Sequence, residues 1–393
     1  MTALPLAGLR VLELGNYIAA PTAGRLLADF GAEVIKVERP DRGDEIRTWR
    51  LYRGRTSMLH RTLNRNKKSV ELDLRSDEGR VAALTLTAGC DVVLENFRPG
   101  TLESWGLGPE QLDKVRPGIV VVRVSAYGQN GPLAGEPGFA AVAEAVGGLR
   151  ALVGEPDRPP ARTGVSIGDT LAGIYGAFGA LVVLLVQARN PQAPVPPLAE
   201  RIIDVALNEA VLSVTESLVP DHLAYGVERR RSGGRVEGIA PSNAYPCLDG
   251  SSVVVAGNGD AIFHRFMEAI GRPDLAERAD LQDNSARWAH VDELDTAIDE
   301  WTCTRPRDDV LAALAKAGVP AGPISTAADI VADPQYAARN MIQYRDVDTG
   351  DGVHRVGFPG IVPVIGDRSL PVRSLGPELG EHNDEILGEL SCP

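Results

Sequence analysis

An aspartate stands at the head of an apolar run, in Ser166-Ile167-Gly168-Asp169-Thr170. The run predicts a helix over Thr170–Gln187. Gly173, Gly176 and Gly179 mark one face of it, a spacing that lets another element approach closely. Two readings of Asp169 follow. As a helix N-cap, its carboxylate accepts backbone N–H bonds, and position alone favours this role. As a nucleophile, the same carboxylate is kept ionised by the helix terminus and can attack a thioester.

A second feature is a charge inversion. Between Ile46 and Lys68 lie eight basic residues: Arg47, Arg50, Arg53, Arg55, Arg61, Arg65, Lys67 and Lys68. No acidic residue interrupts them, in a chain of formal net charge -13. The window reads either as a site for a polyanion such as a phosphate ester or as a solvated face.

A third is the opening strand-helix-strand unit, with Glu38 ending its second strand where dinucleotide-binding folds place a ribose-binding acid. Its first turn, Gly15-Asn16-Tyr17-Ile18-Ala19-Ala20-Pro21, lacks the glycines that admit a pyrophosphate. Lys36 and Arg39 beside Glu38 suit phosphate better than a neutral ribose. A nicotinamide or flavin cofactor is not expected.

The elements that must position these residues alternate. Strands are expected at Leu9–Leu14, Glu33–Val37, Ser69–Leu74, Asp91–Leu94 and Ile119–Ser125, with helices at Ala19–Phe30 and Asp77–Ala88. That order implies a doubly wound parallel α/β sheet. Further helices are expected at Ala140–Gly147 and Ile202–Val219. An extended proline-rich loop covers Pro191–Pro197, and Arg229–Gly238 reads as a linker. A second unit then opens with a strand at Ser252–Ala256 and helices at Ala261–Ile270, Val291–Trp301 and Arg307–Ala317.

With 393 residues the chain can form two or three domains. Its negative charge argues against nucleic-acid or anionic-membrane binding. The opening Met1-Thr2-Ala3-Leu4-Pro5 shows no signal peptide, and the apolar stretch Ala177–Val186 is short for a membrane span. Cys90, Cys247, Cys303 and Cys392 are isolated, as expected of reduced thiols in a cytoplasmic protein, and the six histidines are scattered. No metal site is expected.

Together these pieces resemble the family III CoA-transferases, the group of formyl-CoA and carnitine CoA-transferases, over almost the whole chain. The resemblance rests on Leu9–Leu14, Ala32–Pro40, Asn66–Leu74, Glu95–Gly100, Tyr127–Pro132, Pro137–Phe139, Gly168-Asp169 and Leu379–Asn383. It implies that Asp169 is the nucleophile, carrying first an acyl anhydride and then a CoA thioester, with no metal or redox cofactor and with CoA as substrate. It also implies CoA contacts at Ile18, Ala19, Arg39, Leu72, Asp73, Leu74, Arg75, Asn96, Phe97, Arg98, Glu136, Pro137, Gly138 and Phe139. A loop over the active site would fall at Gly257, Asn258 and Gly259.

There are departures. Ile18 stands where formyl-CoA transferases have a glutamine, Ser104 replaces a CoA-binding arginine, and the covering loop has two glycines. Oxalate is therefore not the expected acceptor; a small dicarboxylic acyl group such as succinyl suits the general resemblance, with Arg162 a candidate for a distal carboxylate. The rival on the same fold, an α-methylacyl-CoA racemase, needs a histidine near Pro137–Ala140, and His60 is the only histidine before residue 200. An inactive CoA-binding protein is the other alternative. The resemblance further implies a large domain of residues 1–225 plus 330–393, a small domain of 226–329, and an interlocked homodimer.

Overall fold

The apolar runs of the first 125 residues form parallel strands because each can be buried on both faces of a sheet. The computed structural model describes residues 4–53, 56–367 and 369–388. Met1–Ala3, Arg55, Cys392 and the side chain of Arg53 lie outside that description. Strands β1 (Arg10–Glu13), β2 (Glu33–Glu38), β3 (Lys68–Glu71), β4 (Val92–Glu95), β5 (Val120–Ser125) and β6 (Ile202–Ala206) build one six-stranded parallel sheet. Their order is β3-β2-β1-β4-β5-β6. Val11 pairs with Val34 on one side and Val92 on the other.

Helices cover both faces. On one, Ala23 and Leu27 of α1 (Ala19–Asp29) pack with Val11, Val34, Val92 and Val122. On the other, Ala83 and Leu86 of α2 (Asp77–Ala88) pack with Leu12, Ile35, Val93 and Val121. Helix α3 (Ala140–Val146) and the long α4 (Ile167–Arg189) complete the first face.

One element was expected in the wrong state. Ile202–Ala206 is the sixth strand, with only Leu207–Leu212 and Leu218–Tyr225 helical beyond it. Its β-branched residues pair with β5, Ser125 opposite Ala206, so a partner distant in sequence decides its state. The apolar stretch at Ala177–Val186 is also corrected: it belongs to a 23-residue helix, long and apolar enough to cross a membrane by length and composition. One face of that helix nevertheless packs tightly in the protein. A Cβ at Gly173 would stand 2.6 Å from Thr22 Cβ and 2.7 Å from the Ala19 carbonyl oxygen, and one at Gly179 2.8 Å from Ile203.

The chain divides into two compact units. The first comprises Met1–Leu149, Thr163–Glu216 and Asp333–Pro393, and holds the large sheet. The second comprises Arg150–Arg162 and Ser217–Ala332. It thus takes in Arg150–Arg162, which the expected 226–329 small domain omits. Its three-stranded antiparallel sheet joins β7 (Ser242–Pro246), β8 (Ser252–Ala256) and β9 (Ala321–Pro323), over a core that includes Tyr245, Val253, Phe263 and Phe266.

Candidate active site

The strand order reverses at β1: the chain steps to β2 and β3 on one side, then to β4, β5 and β6 on the other. Turns leaving the carboxyl ends of β1 and β4 must diverge there, which opens a crevice suited to a ligand. The first turn is Gly15-Asn16-Tyr17, in which Tyr17 takes a left-handed backbone with φ of 65°. The second is Asn96-Phe97-Arg98. Asn96 Oδ1 accepts from the Asn16 N–H at 2.8 Å, and Asn96 Nδ2 donates to the Asn16 carbonyl at 2.7 Å.

Buried charges hold both turns from beneath. Lys36 Nζ donates to the Gly15 carbonyl at 2.7 Å and pairs with Glu13 at 3.1 Å and Asp44 at 2.9 Å. Asp44 accepts in turn from the Tyr17 N–H at 3.0 Å. Lys67 Nζ reaches the other Glu13 oxygen at 2.7 Å. Burial pushes the Lys67 ammonium down to about 8, Glu13 opposing the shift and Lys36 adding to it. For Lys36 burial also pulls downward, but Asp44, Glu13 and Glu38 outweigh it and its pKa is raised. Under the second turn, Glu95 accepts from the Phe97 N–H at 2.7 Å and from Arg123 Nε at 2.7 Å. Burial pushes the Glu95 carboxyl up to about 7, against the pull of Arg123.

This accounts for most of the basic window, and not as a phosphate face. Lys67 turns inward to Glu13, Arg65 to Asp29 at 2.7 Å, and Arg47 to Glu38 at 2.6 Å. Arg61 pairs with Glu378, and Lys68 with Glu33 and Glu385 at 2.6 Å each. Glu38 is likewise spent, accepting from Arg47, Ser69 Oγ and the Asp44 N–H. Burial works against its ionisation, but Arg47 and Lys36 hold its carboxyl at about 2.

Above the turns lie two cavities that share Tyr17 and Phe97. One, of about 210 Å³, is lined by Arg39, Leu72, Asp73, Leu74, Arg75, Glu45 and Trp105 among others. Two arginines stand in this lining, each beside a carboxylate: Arg39 forms an ion pair with Glu45, and Arg75 with Asp73 at 2.9 Å. The other, of about 270 Å³, is lined by Ala19, Asn96, Arg98, Glu136, Pro137, Gly138, Phe139 and Asp169, with Trp49, Ser125 and Leu207 beside them. The Tyr17 ring lies 5.1 Å from that of Trp49 and 6.0 Å from that of Phe139, an aromatic wall at the junction.

Asp169 is the third residue of α4; the N-cap is Ser166, whose side chain makes no cap bond. The expected N-cap role for Asp169 is thus displaced by three positions, while the favourable helix-terminus field remains. The tight seat of Gly173 fixes the height of this first turn over α1. Of the expected contacts, Ile18 lines neither cavity. Its side chain is 6% exposed and clusters with Ile46 and Leu63, because the left-handed step at Tyr17 turns it inward. Asn96 lines the cavity, but its amide is spent on Asn16. Gly257, Asn258 and Gly259 belong to the second unit, where Arg287 donates to the Asn258 carbonyl at 2.7 Å. Arg162 belongs to that unit too.

Tyr17, Trp49, Trp105 and Ser125 also line the cavities, with no role legible for them in the sequence. Tyr17 and Ser125 follow or end apolar runs at the carboxyl edge of the sheet, which is the signal that could have marked them. Among the described residues, no histidine lines either cavity. His60 is packed away, bonded to the Pro377 carbonyl at 2.9 Å and to Asn64, and burial and Arg47 press its pKa down to about 4.

The sequence profile described as CoA-transferase family III matches residues 6–383. Succinyl-CoA–D-citramalate CoA-transferase of Chloroflexus aurantiacus is 44% identical over 389 residues, which cover 98% of this chain and 94% of that one. Human succinyl-CoA:glutarate CoA-transferase is 32% identical, over 98% of this chain and 86% of its own. Among solved structures, a CAIB/BAIF family protein from Brucella suis superposes with a TM-score of 0.85 at 35% identity, covering 99% of this chain and all of its own.

Proposed function

The chain belongs to CoA-transferase family III and is a CoA-transferase, and from that premise we propose that it moves CoA from succinyl-CoA to a small dicarboxylic acid of the citramalate or glutarate type, with Asp169 as the covalent carrier. The observation that carries this reading is that Asp169 lines one cavity with Arg98 and Phe139, and that this cavity adjoins the pocket of Arg39 and Arg75 through Tyr17 and Phe97. The nucleotide phosphates would sit at the arginine end and the thioester at Asp169.

In the steps proposed, the Asp169 carboxylate attacks the thioester carbonyl. The C–S bond breaks, leaving an aspartyl–acyl anhydride and CoA thiolate. The thiolate attacks the aspartyl carbonyl and releases the donor as a carboxylate. The acceptor carboxylate then attacks the aspartyl-CoA thioester, giving a second anhydride and freeing the thiolate again. Attack of that thiolate on the acceptor carbonyl yields acceptor-CoA and restores Asp169. No net proton or electron is exchanged. Arg98, exposed at the cavity wall, suits the distal carboxylate of either acid. The lack of a cavity histidine speaks against α-proton exchange as the reaction.

The test is transfer of CoA from succinyl-CoA to citramalate and glutarate, with mass spectrometry of the Asp169 peptide. A hydroxylamine-sensitive acyl or CoA adduct on that peptide is expected. Full activity of Asp169→Ala would exclude the mechanism. No transfer by a folded wild-type chain with any donor would leave only CoA binding.

We also propose a homodimer. Phe178, Leu185 and Val186 on α4 are 63%, 52% and 50% exposed, an apolar face that a second copy would cover. Light scattering should give twice the chain mass.

A further inference from the structure

Ser125 ends β5 and lines the Asp169 cavity. It is only 7% exposed, and among the described residues its Oγ has no hydrogen-bond partner. A buried hydroxyl is costly unless something bonds it, and an unbonded one in a folded protein calls for an explanation, a catalytic role among them. Other serines of the chain show the contrast: Ser69 Oγ donates to Glu38, and Ser369 Oγ to the Ile361 carbonyl.

The chemistry of the cavity narrows what Ser125 would meet. Asp169 and Glu136 are carboxylates, which offer acceptors when ionised. The Asn96 amide is already spent on Asn16 at both ends. Arg98 is charged and exposed, and matches a carboxylate. A neutral, buried O–H instead matches an oxygen that is uncharged in the ground state and gains charge as the reaction proceeds. The acyl carbonyl under attack by Asp169 is such an oxygen.

Building on the transferase reading, we propose that the Ser125 hydroxyl donates a hydrogen bond to the carbonyl oxygen of the acyl group being transferred, and strengthens that bond as the tetrahedral oxyanion forms. Ser125 is then a catalytic residue for this chain, alongside the covalent carrier. It also explains why a hydroxyl occupies the end of a strand otherwise built from Val120, Val121, Val122, Arg123 and Val124.

The experiment compares wild type with Ser125→Ala in steady-state CoA transfer from succinyl-CoA, together with thermal melting of the ligand-free proteins. Loss of one oxyanion donor should lower kcat by about 100-fold and leave KM for both substrates within about twofold. Because Oγ bonds nothing among the described residues, the melting temperature should stay the same or rise. An active wild type with an equally active Ser125→Ala overturns the inference while leaving the transferase reading intact. A melting temperature that falls along with kcat also overturns it, since Ser125 would then serve the fold. A wild type that transfers no CoA defeats the transferase reading and this inference together.

Discussion

The Asn96 side chain pairs with the backbone of Asn16 as a neighbouring strand would, accepting at 2.8 Å and donating at 2.7 Å. That pair ties the turn after β1 to the turn after β4 across the point where the sheet order reverses. The crevice therefore keeps its width without a backbone ladder, which could not continue between diverging strands. A Cβ at Gly15 would stand 2.7 Å from Asn96 Oδ1, so the close approach also requires glycine there.

Removing the tie should cost both stability and substrate binding. Asn96→Ala leaves the Asn16 N–H and carbonyl without these partners, a loss of about 1–3 kcal/mol. Asn96→Asp should be worse, since it sets an oxygen against the Asn16 carbonyl. Urea unfolding checks the first effect. A rise in KM for succinyl-CoA exceeding any fall in kcat checks the second. Unchanged KM in both variants would separate the tie from the ligand site.

The charges beneath the first turn should behave as one unit. Glu13 carries both Lys36 and Lys67, all three at most 2% exposed. Glu13→Gln therefore strands the buried Lys67 ammonium and leaves Lys36 with Asp44 alone, and the expected loss is about 3–5 kcal/mol. Lys67→Met should cost less, because Lys36 still balances Glu13. Equal losses in the two variants, measured by urea unfolding, would contradict this account.

Glu95 gives a pH dependence of defined sign. Its carboxyl is pushed up to about 7 in the folded chain, above the ordinary glutamate value of 4.5. Between those values the folded state binds more protons than the unfolded state, so stability falls as pH rises. The stabilisation is fully present below about pH 4.5 and lost by about pH 7, with an upper limit on the order of 3 kcal/mol. Glu95→Gln removes this slope. The difference in unfolding free energy between wild type and variant should shift against wild type over that range; a flat difference would refute the assignment.

The sequence made five of the six sheet strands legible, because Leu12, Val34, Val70, Val93 and Val121 sit in short apolar runs between helical patterns. Ile202–Ala206 was hidden because Leu207–Leu212 continues the apolar pattern as helix, and only pairing with β5 reveals the strand. The basic window misled for a related reason. Lys67 meets Glu13 and Arg65 meets Asp29 only after folding, and charge counted along the chain cannot show those distant partners. Asp169 was visible from its place before an apolar run. The left-handed Tyr17 and the unpartnered Ser125 hydroxyl were not, since each depends on what surrounds it in three dimensions.

Gly173 links packing to chemistry. It sits one helical turn after Asp169, and a Cβ there would stand 2.6 Å from Thr22 Cβ and 2.7 Å from the Ala19 carbonyl oxygen. Those contacts are to α1, a rigid helix whose first residue, Ala19, also lines the Asp169 cavity. A larger side chain must push the start of α4 away from the crevice, and strain of this kind costs about 1–3 kcal/mol. Gly173→Ala should accordingly lower kcat by more than its loss of stability suggests, because a small displacement of a nucleophile is expensive. Gly176→Ala is the control, since its Cβ would meet Val122 at 3.1 Å, a side chain able to shift. Transfer rates measured well below each variant's melting temperature should fall for Gly173→Ala and change little for Gly176→Ala. Equal rates in both would show that the seat of α4 does not set the position of Asp169.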